Sequence, residues 1–578
     1  MESHTQLDST RGAPVKRLGC VLLFLLFRPI PGVAQLMPPA RDRATEVKRL
    51  YDAGHWSEVV EALPGGDNEN ADLQMYRGLA LAKLGRWDDA QKTFEAGAAR
   101  YPADARFLVE LGGIAYREKA LSLAERDLRR ALAIQPKDDY SNDFLASIYF
   151  LHGNLEAALK YWNRTGGPKL ADLTFDPQPT LMPLVLDRAV RFSPGNEWRR
   201  DDFLRTEEQL GALGLYPHAL YDLQAQPDGS FNLTIRAPER NSWGNTKWEG
   251  ALSLLRGLPY ASVYSEFYNL RKRGMNWLSF FRWDDQKRRL TSELAAQLAL
   301  NPSVRYRIYV DARNENWNVT STLTPNAPVE AGLNLQKAAA GGEIRFIPSG
   351  RWEWNTGVEY SYRKFRGLVG IPAGASSFFT NGSSLALRAG MKRSLIRFPE
   401  RRLTLESNAS AETGTFFESP LGRYGRLEGA LAATWYPQSR GDNYEVQASL
   451  KGGKTFGLVP FDELFTLGFD RDTDLTLRGH PGLINGQKGR APLGRNFVLA
   501  NSEVDKILYR NGFFTVTLGP LMDTGRVYDP SGFWGTRNWL WDTGAQAKVR
   551  VLGSFEFVLG YGKDLRTGNN SFFTKVSR

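Results

Sequence analysis

Cysteine is all but missing from this chain: Cys20 stands alone, so no intramolecular disulfide can form. Histidine is scarce too. His4, His55, His152, His218 and His480 are scattered, which leaves a histidine-built metal centre without a ligand set. No serine lies beside His480 in an arrangement that suggests a barrel lipase. No apolar run reaches the roughly 20 residues that a membrane helix needs, and the mean hydropathy is −0.39. A phosphate-binding loop is also excluded. Lys451-Gly452-Gly453-Lys454-Thr455 ends like one, but Ala448 stands where its first glycine belongs. No cofactor, metal or enzymatic activity is therefore expected, and nucleic-acid binding has only the net charge of +11 in its favour.

Aromatic residues, by contrast, are abundant, with 15 Trp, 22 Tyr and 32 Phe. That richness fits girdles of aromatics at two membrane interfaces. A low mean hydropathy does not speak against strands, because a barrel hides its apolar residues at every second position. The positive charge suits anionic lipid headgroups, an anionic substrate or plain solubility. At 578 residues the chain is too long for one ordinary domain.

The first segment, 1–34, has the layout of an export leader. Arg11, Lys16 and Arg17 precede the apolar core from Leu18 to Phe27, and Gly32-Val33-Ala34 offers small residues for cleavage before Gln35. Cys20 stands ahead of most of that core, which is unlike a lipoprotein signal. The mature chain would then need no oxidative folding.

From 40 to 166 the pattern is helical with a 34-residue period. Gly78, Gly112 and Ala146 form one series, Ala90, Ala124 and Ala158 a second, and Phe94, Leu128 and Trp162 a third. Pro102 and Pro136 close two units, and Gly85 and Gly153 mark turns. Small residues at fixed positions let paired helices approach closely. The spacing resembles the tetratricopeptide repeat, with three full units and a degenerate one around Trp56 to Leu63. Such an array offers a concave surface to a protein partner, or serves as a spacer.

The stretch 178–240 reads as a small α/β module. Val190-Arg191-Phe192 is predicted as a strand, Asp201 to Leu213 as a helix capped by Gly214, and Ala219 to Gln224 and Phe231 to Ile235 as a hairpin around Pro227-Asp228-Gly229. This resembles a POTRA module, which implies binding of extended substrates at its sheet edge; a plain linker domain fits as well.

After Asn241 the period becomes two. Val304, Tyr306, Ile308, Val310 and Ala312 alternate with Arg305, Arg307, Tyr309, Asp311 and Arg313. Trp352, Trp354, Val358, Tyr360 and Tyr362 alternate with Glu353, Asn355, Glu359, Ser361 and Arg363, and Phe555, Phe557, Leu559 and Tyr561 share a face. One face suits lipid and the other a wet interior, as in a membrane barrel. Strands of roughly 9–11 residues leave room in 241–578 for about sixteen.

Two segments in this tract stand out. Arg478-Gly479-His480 follows a predicted strand, Leu464 to Phe469, and opens a glycine-rich polar loop that runs to Asn496. Asp523 follows the predicted strand Phe513 to Leu518, and Glu503 lies on a strand between them. A guanidinium fork matches a carboxylate, so Asp523 and Glu503 are candidate partners that would pin the loop inside the barrel. A solvated loop arginine is the other reading of the same spacing.

Arg478-Gly479, Asn501-x-Glu503, Asp523-x-Gly525, Asp542-x-Gly544 and Gly560-Tyr561-Gly562 occur in that order. The set resembles the last third of the bacterial surface antigen superfamily, which holds outer-membrane assembly factors and two-partner secretion transporters. The resemblance implies an exported POTRA-plus-barrel chain. Its arginine-glycine loop would fold into the lumen, with Arg478 on Asp523 and Glu503 as a second lumen acid. The chain departs from the family at His480, where an aromatic is usual, at Leu521, where phenylalanine is common, and at Asp505, where arginine often follows the glutamate. The last residues, Phe572 to Arg578, lack the family's terminal aromatic, and one POTRA-like module stands where several are usual.

The expected fold is multidomain: leader 1–34, tetratricopeptide-like helical repeats 40–166, POTRA-like α/β module 178–240, and a transmembrane antiparallel β-barrel 241–578. The expected protein is a non-enzymatic one of the bacterial outer membrane, with its N-terminal domains in the periplasm. Its partners would be outer-membrane lipids, an unfolded or extended polypeptide, and a periplasmic protein on the repeats. An exporter of polysaccharide or surface lipoprotein is the alternative, and a sealed-barrel receptor or scaffold the third reading.

Overall fold

Small residues decide how the helices pair. The computed structural model describes residues 40–64, 70–240, 247–323, 328–371, 373–418, 422–536, 538–552 and 555–577. The leader 1–34 and Cys20 lie outside the described residues. The chain divides into two compact units, Met1–Gly97 and Ala98–Arg578.

The first unit holds α1 (Ala40–Asp52), α2 (Trp56–Ala62), α3 (Ala71–Lys83) and most of α4 (Trp87–Arg100). Its core is Val47, Val59, Leu63, Leu73 and Ala80. At Gly78 a Cβ would sit 2.3 Å from Phe94 Cε1, so only glycine lets α3 lie this close to α4.

The second unit continues with α5 (Ala105–Arg117), α6 (Leu121–Ile134), α7 (Asp139–Leu151) and α8 (Leu155–Trp162). Gly112 repeats the Gly78 device against Leu128, and Ala124, Ala146 and Ala158 are fully buried. Asp104, Asp138 and Asn154 cap their helices by accepting from the backbone amides of Arg106, Ser141 and Ala157.

The α/β module comprises β1 (Leu170–Asp176), α9 (Pro183–Ala189), α10 (Arg200–Ala212), β2 (Leu220–Ala225) and β3 (Phe231–Arg236). Its sheet order is β1-β3-β2, with β1 parallel and β2 antiparallel to β3. The strand expected at Val190–Phe192 is not one. Val190 closes α9 by donating its amide to the Leu186 carbonyl, and Val190 and Phe192 enter the core. The strand lies at β1 instead, where an irregularity between Leu170 and Asp172 breaks the alternation that would have revealed it. Trp162 of α8 packs on Phe231 of β3 at 5.5 Å, and one hydrophobic core runs from α5–α8 through this module.

The barrel begins after α11 (Lys247–Leu255). Its wall strands are β4 (Ser262–Leu270), β5 (Met275–Trp283), β6 (Lys287–Leu298), β7 (Asn301–Leu323), β8 (Pro328–Ser349), β9 (Trp352–Val369), β10 (Gly382–Phe398), β11 (Leu403–Phe416), β12 (Arg423–Trp435) and β13 (Tyr444–Gly457). A long loop carries the two-residue strands β14 (Phe465–Thr466), β15 (Leu483–Ile484), β16 (Gln487–Lys488) and β17 (Leu493–Gly494). The wall resumes with β18 (Asn496–Arg510), β19 (Phe514–Tyr528), β20 (Leu540–Val551), β21 (Phe555–Asp564) and β22 (Asn570–Ser577). Among the described residues the sheet closes, and its seventeen members include fifteen long strands once β15 and β16 are set aside. From β4 to β22 the wall neighbours pair antiparallel in unbroken succession. With fifteen such strands, β4 and β22 run in the same direction. At their junction the Tyr260 hydroxyl donates to the Thr574 carbonyl at 3.4 Å.

The outward face is apolar, with Ile308, Val310, Val358 and Tyr360 exposed on it. Trp352, Phe398, Trp435 and Phe514 ring one end, and Trp283, Phe417, Tyr528 and Trp541 the other. Paired rings of this kind mark two water–lipid interfaces. Among the described residues no helix is long and apolar enough to cross a membrane, which says nothing of a barrel.

Within the second unit, α8 and the α/β module pack against the turns at one end of the barrel. Met182 N donates to Lys272 O (2.7 Å), Arg188 to Ala299 O (3.0 Å) and Arg205 to Pro348 O (2.5 Å). Arg397 pairs with Glu156 (2.7 Å), and Lys160 pairs with Glu400.

Two outcomes follow from this packing. Gly78→Val forces Phe94 aside, and overpacking of this kind costs about 1–3 kcal/mol, which far-UV circular dichroism melting reads as earlier loss of helix. Burial raises the Glu207 carboxyl of α10 to about 7, with Glu156 and Glu208 adding to the rise and Arg397 opposing it. A raised carboxyl destabilises the fold progressively as pH climbs from 4.5 towards 7. The second unit therefore melts higher at pH 5 than at pH 8, and Glu207→Gln abolishes its share of that difference by raising the melting point at pH 8.

Candidate functional site

The loop between Gly457 and Asn496 carries acids at Asp462, Glu463, Asp470 and Asp472, and bases at Arg478 and Lys488. It lies inside the barrel, where charges withdrawn from water need partners. Each finds one on the wall. Asp462 and Glu463 meet Lys337 of β8 at 2.9 Å each and Arg363 of β9 at 2.9 and 2.7 Å, and Glu463 also meets Arg426 of β12 at 3.0 Å. Asp472 accepts from Arg282 of β5 (2.9 Å) and Arg289 of β6 (3.3 Å), and Lys488 pairs with Glu315 of β7 (3.0 Å).

The third anchor is Arg478. Its backbone N and Nε both donate to Asp523 Oδ2 at 2.9 Å, and Nη2 donates to Oδ1 at 2.6 Å. Nη1 donates to Glu503 Oε2 at 2.6 Å. Asn501 donates to Asp523 Oδ1 and to the Thr476 carbonyl, both at 2.8 Å. Lys548 holds the other side of Glu503 (2.7 Å) and reaches Asp505 (2.5 Å). The structure thus brings Arg478, Gly479, Asp523 and Glu503 together.

Gly479 has no room for a side chain, since a Cβ would lie 2.6 Å from Asp542 Cγ. Opposite it, a Cβ on Gly562 would lie 2.2 Å from the Arg478 carbonyl oxygen. Two glycines face each other so that loop backbone rests on wall backbone. The Gly479 amide donates to Asp542 Oδ2 at 2.6 Å, and His480 Nδ1 lies 2.9 Å from Asp542 Oδ1.

The strand expected at Leu464 to Phe469 is a correction. Only Phe465–Thr466 pairs, and it pairs within the loop with Leu493–Gly494. Apolar loop residues meet wall residues that are also apolar: Phe465, Leu467, Leu475 and Leu477 cluster with Phe497, Leu499, Val527 and Leu540. The lumen is therefore not uniformly wet. At the end away from the modules, Phe461 stacks among Trp317, Phe379 and Trp534 with ring centroids 5.0–5.7 Å apart. Beside the loop a polar cavity of about 610 Å³ remains, lined by Arg289, Arg307, Tyr309, Glu359, Arg388 and Lys488 among others.

Sequence reasoning passed over the acid pairs 462/463 and 470/472 and the basic wall positions that receive them. Each basic residue sat on the polar face of an alternating strand, so a partner was called for, but which loop acid reaches which strand depends on how the loop folds.

Residues 77–139 match the tetratricopeptide repeat family. No curated protein sequence matches the chain. Among solved structures it is similar to BamA from Haemophilus ducreyi lacking POTRA domains 1–3, at 13% identity over 71% of this chain and 84% of that one, with a TM-score of 0.43. CdiB from Escherichia coli is similar at 11% identity over 71% and 76%, with a TM-score of 0.46. MamA is similar over 22% of this chain and 76% of its own, at 17% identity and a TM-score of 0.21.

Arg478→Lys keeps the charge but loses the fork, so the loop should become cleavable by protease while the barrel stays folded. Asp523→Ala leaves the guanidinium with Glu503 alone, a loss smaller than the about 3–5 kcal/mol of a fully unpaired buried charge. Limited proteolysis of the protein in micelles, with fragments sized by mass spectrometry, reads both.

Proposed function

We propose that this chain is a non-enzymatic outer-membrane protein of the bacterial surface antigen superfamily that handles polypeptides, by assembling barrel proteins or by passing a protein outward. The observation that carries this reading is the loop folded into a closed barrel and held by the Arg478 fork on Asp523 and Glu503. The end bearing the repeats and the α/β module would face the periplasm, where the repeats receive a protein partner and the β2 edge an extended chain. In this role Arg478, Gly479, Asp523 and Glu503 anchor the lumen loop, while Gly78, Gly112, Ala90, Ala124, Ala146 and Ala158 hold the repeat surface in shape. The α/β module would begin at β1, ahead of the expected residue 178, and the repeats from α5 on would act together with it because they share a core.

A sealed-barrel receptor or scaffold is a second reading, favoured by the aromatic cluster around Phe461 and Trp534. Comparing outer-membrane proteomes with and without the chain separates the outcomes. Loss of many barrel proteins means assembly, loss of one exported protein means secretion, and an unchanged proteome with no conductance in planar bilayers means a receptor. Missing surface polysaccharide or lipoprotein would identify an exporter of those instead. Under the polypeptide reading, Arg478→Ala and Asp523→Ala give the same loss of activity with the barrel still inserted; different phenotypes would argue against a shared anchor.

A further inference from the structure

Three aspartates stand side by side on adjacent wall strands. Asp523 of β19 is in register with Asp542 of β20, which is in register with Asp564 of β21. All three are buried. The segment Arg478-Gly479-His480 crosses them in order, and Arg478 neutralises the first. Among the described residues no lysine or arginine forms an ion pair with Asp542 or Asp564; the group between them is the His480 imidazole. Its Nδ1 lies 2.9 Å from Asp542 Oδ1, and its Nε2 lies 3.6 Å from Asp564 Oδ2.

We infer that His480, Asp542 and Asp564 form a binding site for one divalent transition-metal ion, which locks the loop to β20 and β21. One ring nitrogen and one oxygen from each carboxylate lie within 4.8 Å of one another. The Nε2–Oδ2 separation of 3.6 Å is too long for a hydrogen bond. It is close to the span of roughly 3.3 Å between two ligands that each stand about 2 Å from one tetrahedral ion. The surroundings of Asp542 bear on the same site. Its Oδ2 accepts from the Gly479 amide at 2.6 Å and lies 3.1 Å from His480 Nδ1, while its Oδ1, 2.9 Å from the same nitrogen, is buried without an aligned hydrogen bond. A buried carboxylate oxygen left in this way is costly unless something positive meets it. Asp564 is already held in place by the Arg566 amide (2.9 Å) and the Thr567 hydroxyl (2.5 Å), as a preformed ligand should be.

The donor set decides the class of ion. An imidazole with two carboxylates suits zinc-like ions, whereas calcium and magnesium favour an all-oxygen shell. One nitrogen of the imidazole would serve as the ligand, with water completing the shell. The inference stands whether or not the chain handles polypeptides.

The test uses the full-length protein in micelles, stripped with chelator and dialysed against Zn²⁺. Metal is counted by mass spectrometry, and Co²⁺ serves as a visible-absorption probe. The wild type should bind one more equivalent of Zn²⁺ than His480→Phe, which puts an aromatic ring where the imidazole stood. Asp564→Asn should weaken binding at least tenfold. Zn²⁺ should protect the loop from protease in the wild type but not in His480→Phe. His55, His152 and His218 are present in every variant, so binding at those positions cancels. Equal stoichiometry in wild type and His480→Phe would overturn the site. So would a wild type that binds no Zn²⁺ and gives no Co²⁺ absorption band, a result that needs no variant to fold.

Discussion

Charge buried inside a cylinder has to be answered across it, and that constraint organises the molecule. The loop between β13 and β18 sends carboxylates to β5, β6, β8, β9 and β12, and a guanidinium to β18 and β19. Each contact ties the loop to a different arc of the wall, so the loop acts as a set of internal struts. Removing one partner strands the other in a poorly solvated interior, a larger penalty than the loss of a surface pair.

The apolar contacts complement these pairs. Between the charged anchors lie Phe461, Phe465 and Leu477, each packed on inward-facing apolar wall residues. A loop held by charge alone would remain hydrated and adjustable; one held by rings and leucines as well is fitted to its groove. The paired close approaches at Gly479 and Gly562 show how tight that fit is, because a methyl group on either side collides.

Much of this was legible in the residues. The 34-residue period located the repeats because each small residue answers one crossing of helices, as Gly78 against Phe94 illustrates. Alternation located the wall because lipid and lumen impose opposite demands on neighbouring positions. Matching a fork to carboxylates on nearby strands made Asp523 and Glu503 candidates for Arg478 while a solvated arginine fitted the same spacing, and the family resemblance pointed to Asp523; the structure has Arg478 on both. What escaped were features set by distance through space. Leu464 to Phe469 has a strand's composition because it is buried, yet the burial is inside the lumen. β1 was hidden by its irregularity, and Val190–Phe192 looked extended because the end of a helix can share a strand's residues. The loop acids were visible as acids, but their addressees were not. The helical and α/β segments read as separate pieces, whereas Trp162 and Phe231 belong to one core.

The parity of the wall carries a consequence of its own. Since β4 and β22 point the same way, they cannot share the perpendicular, alternately spaced bonding that joins every other pair of long wall neighbours. Strands so aligned are linked by evenly spaced, slanted bonds, which hold slightly less per residue. A single extra strand laid between them in the opposite sense would turn that joint into two ordinary antiparallel ones and make the total even. Among the described residues the cylinder is thus an odd-membered ring of long strands, and the like-directed joint falls between the first of them and the last.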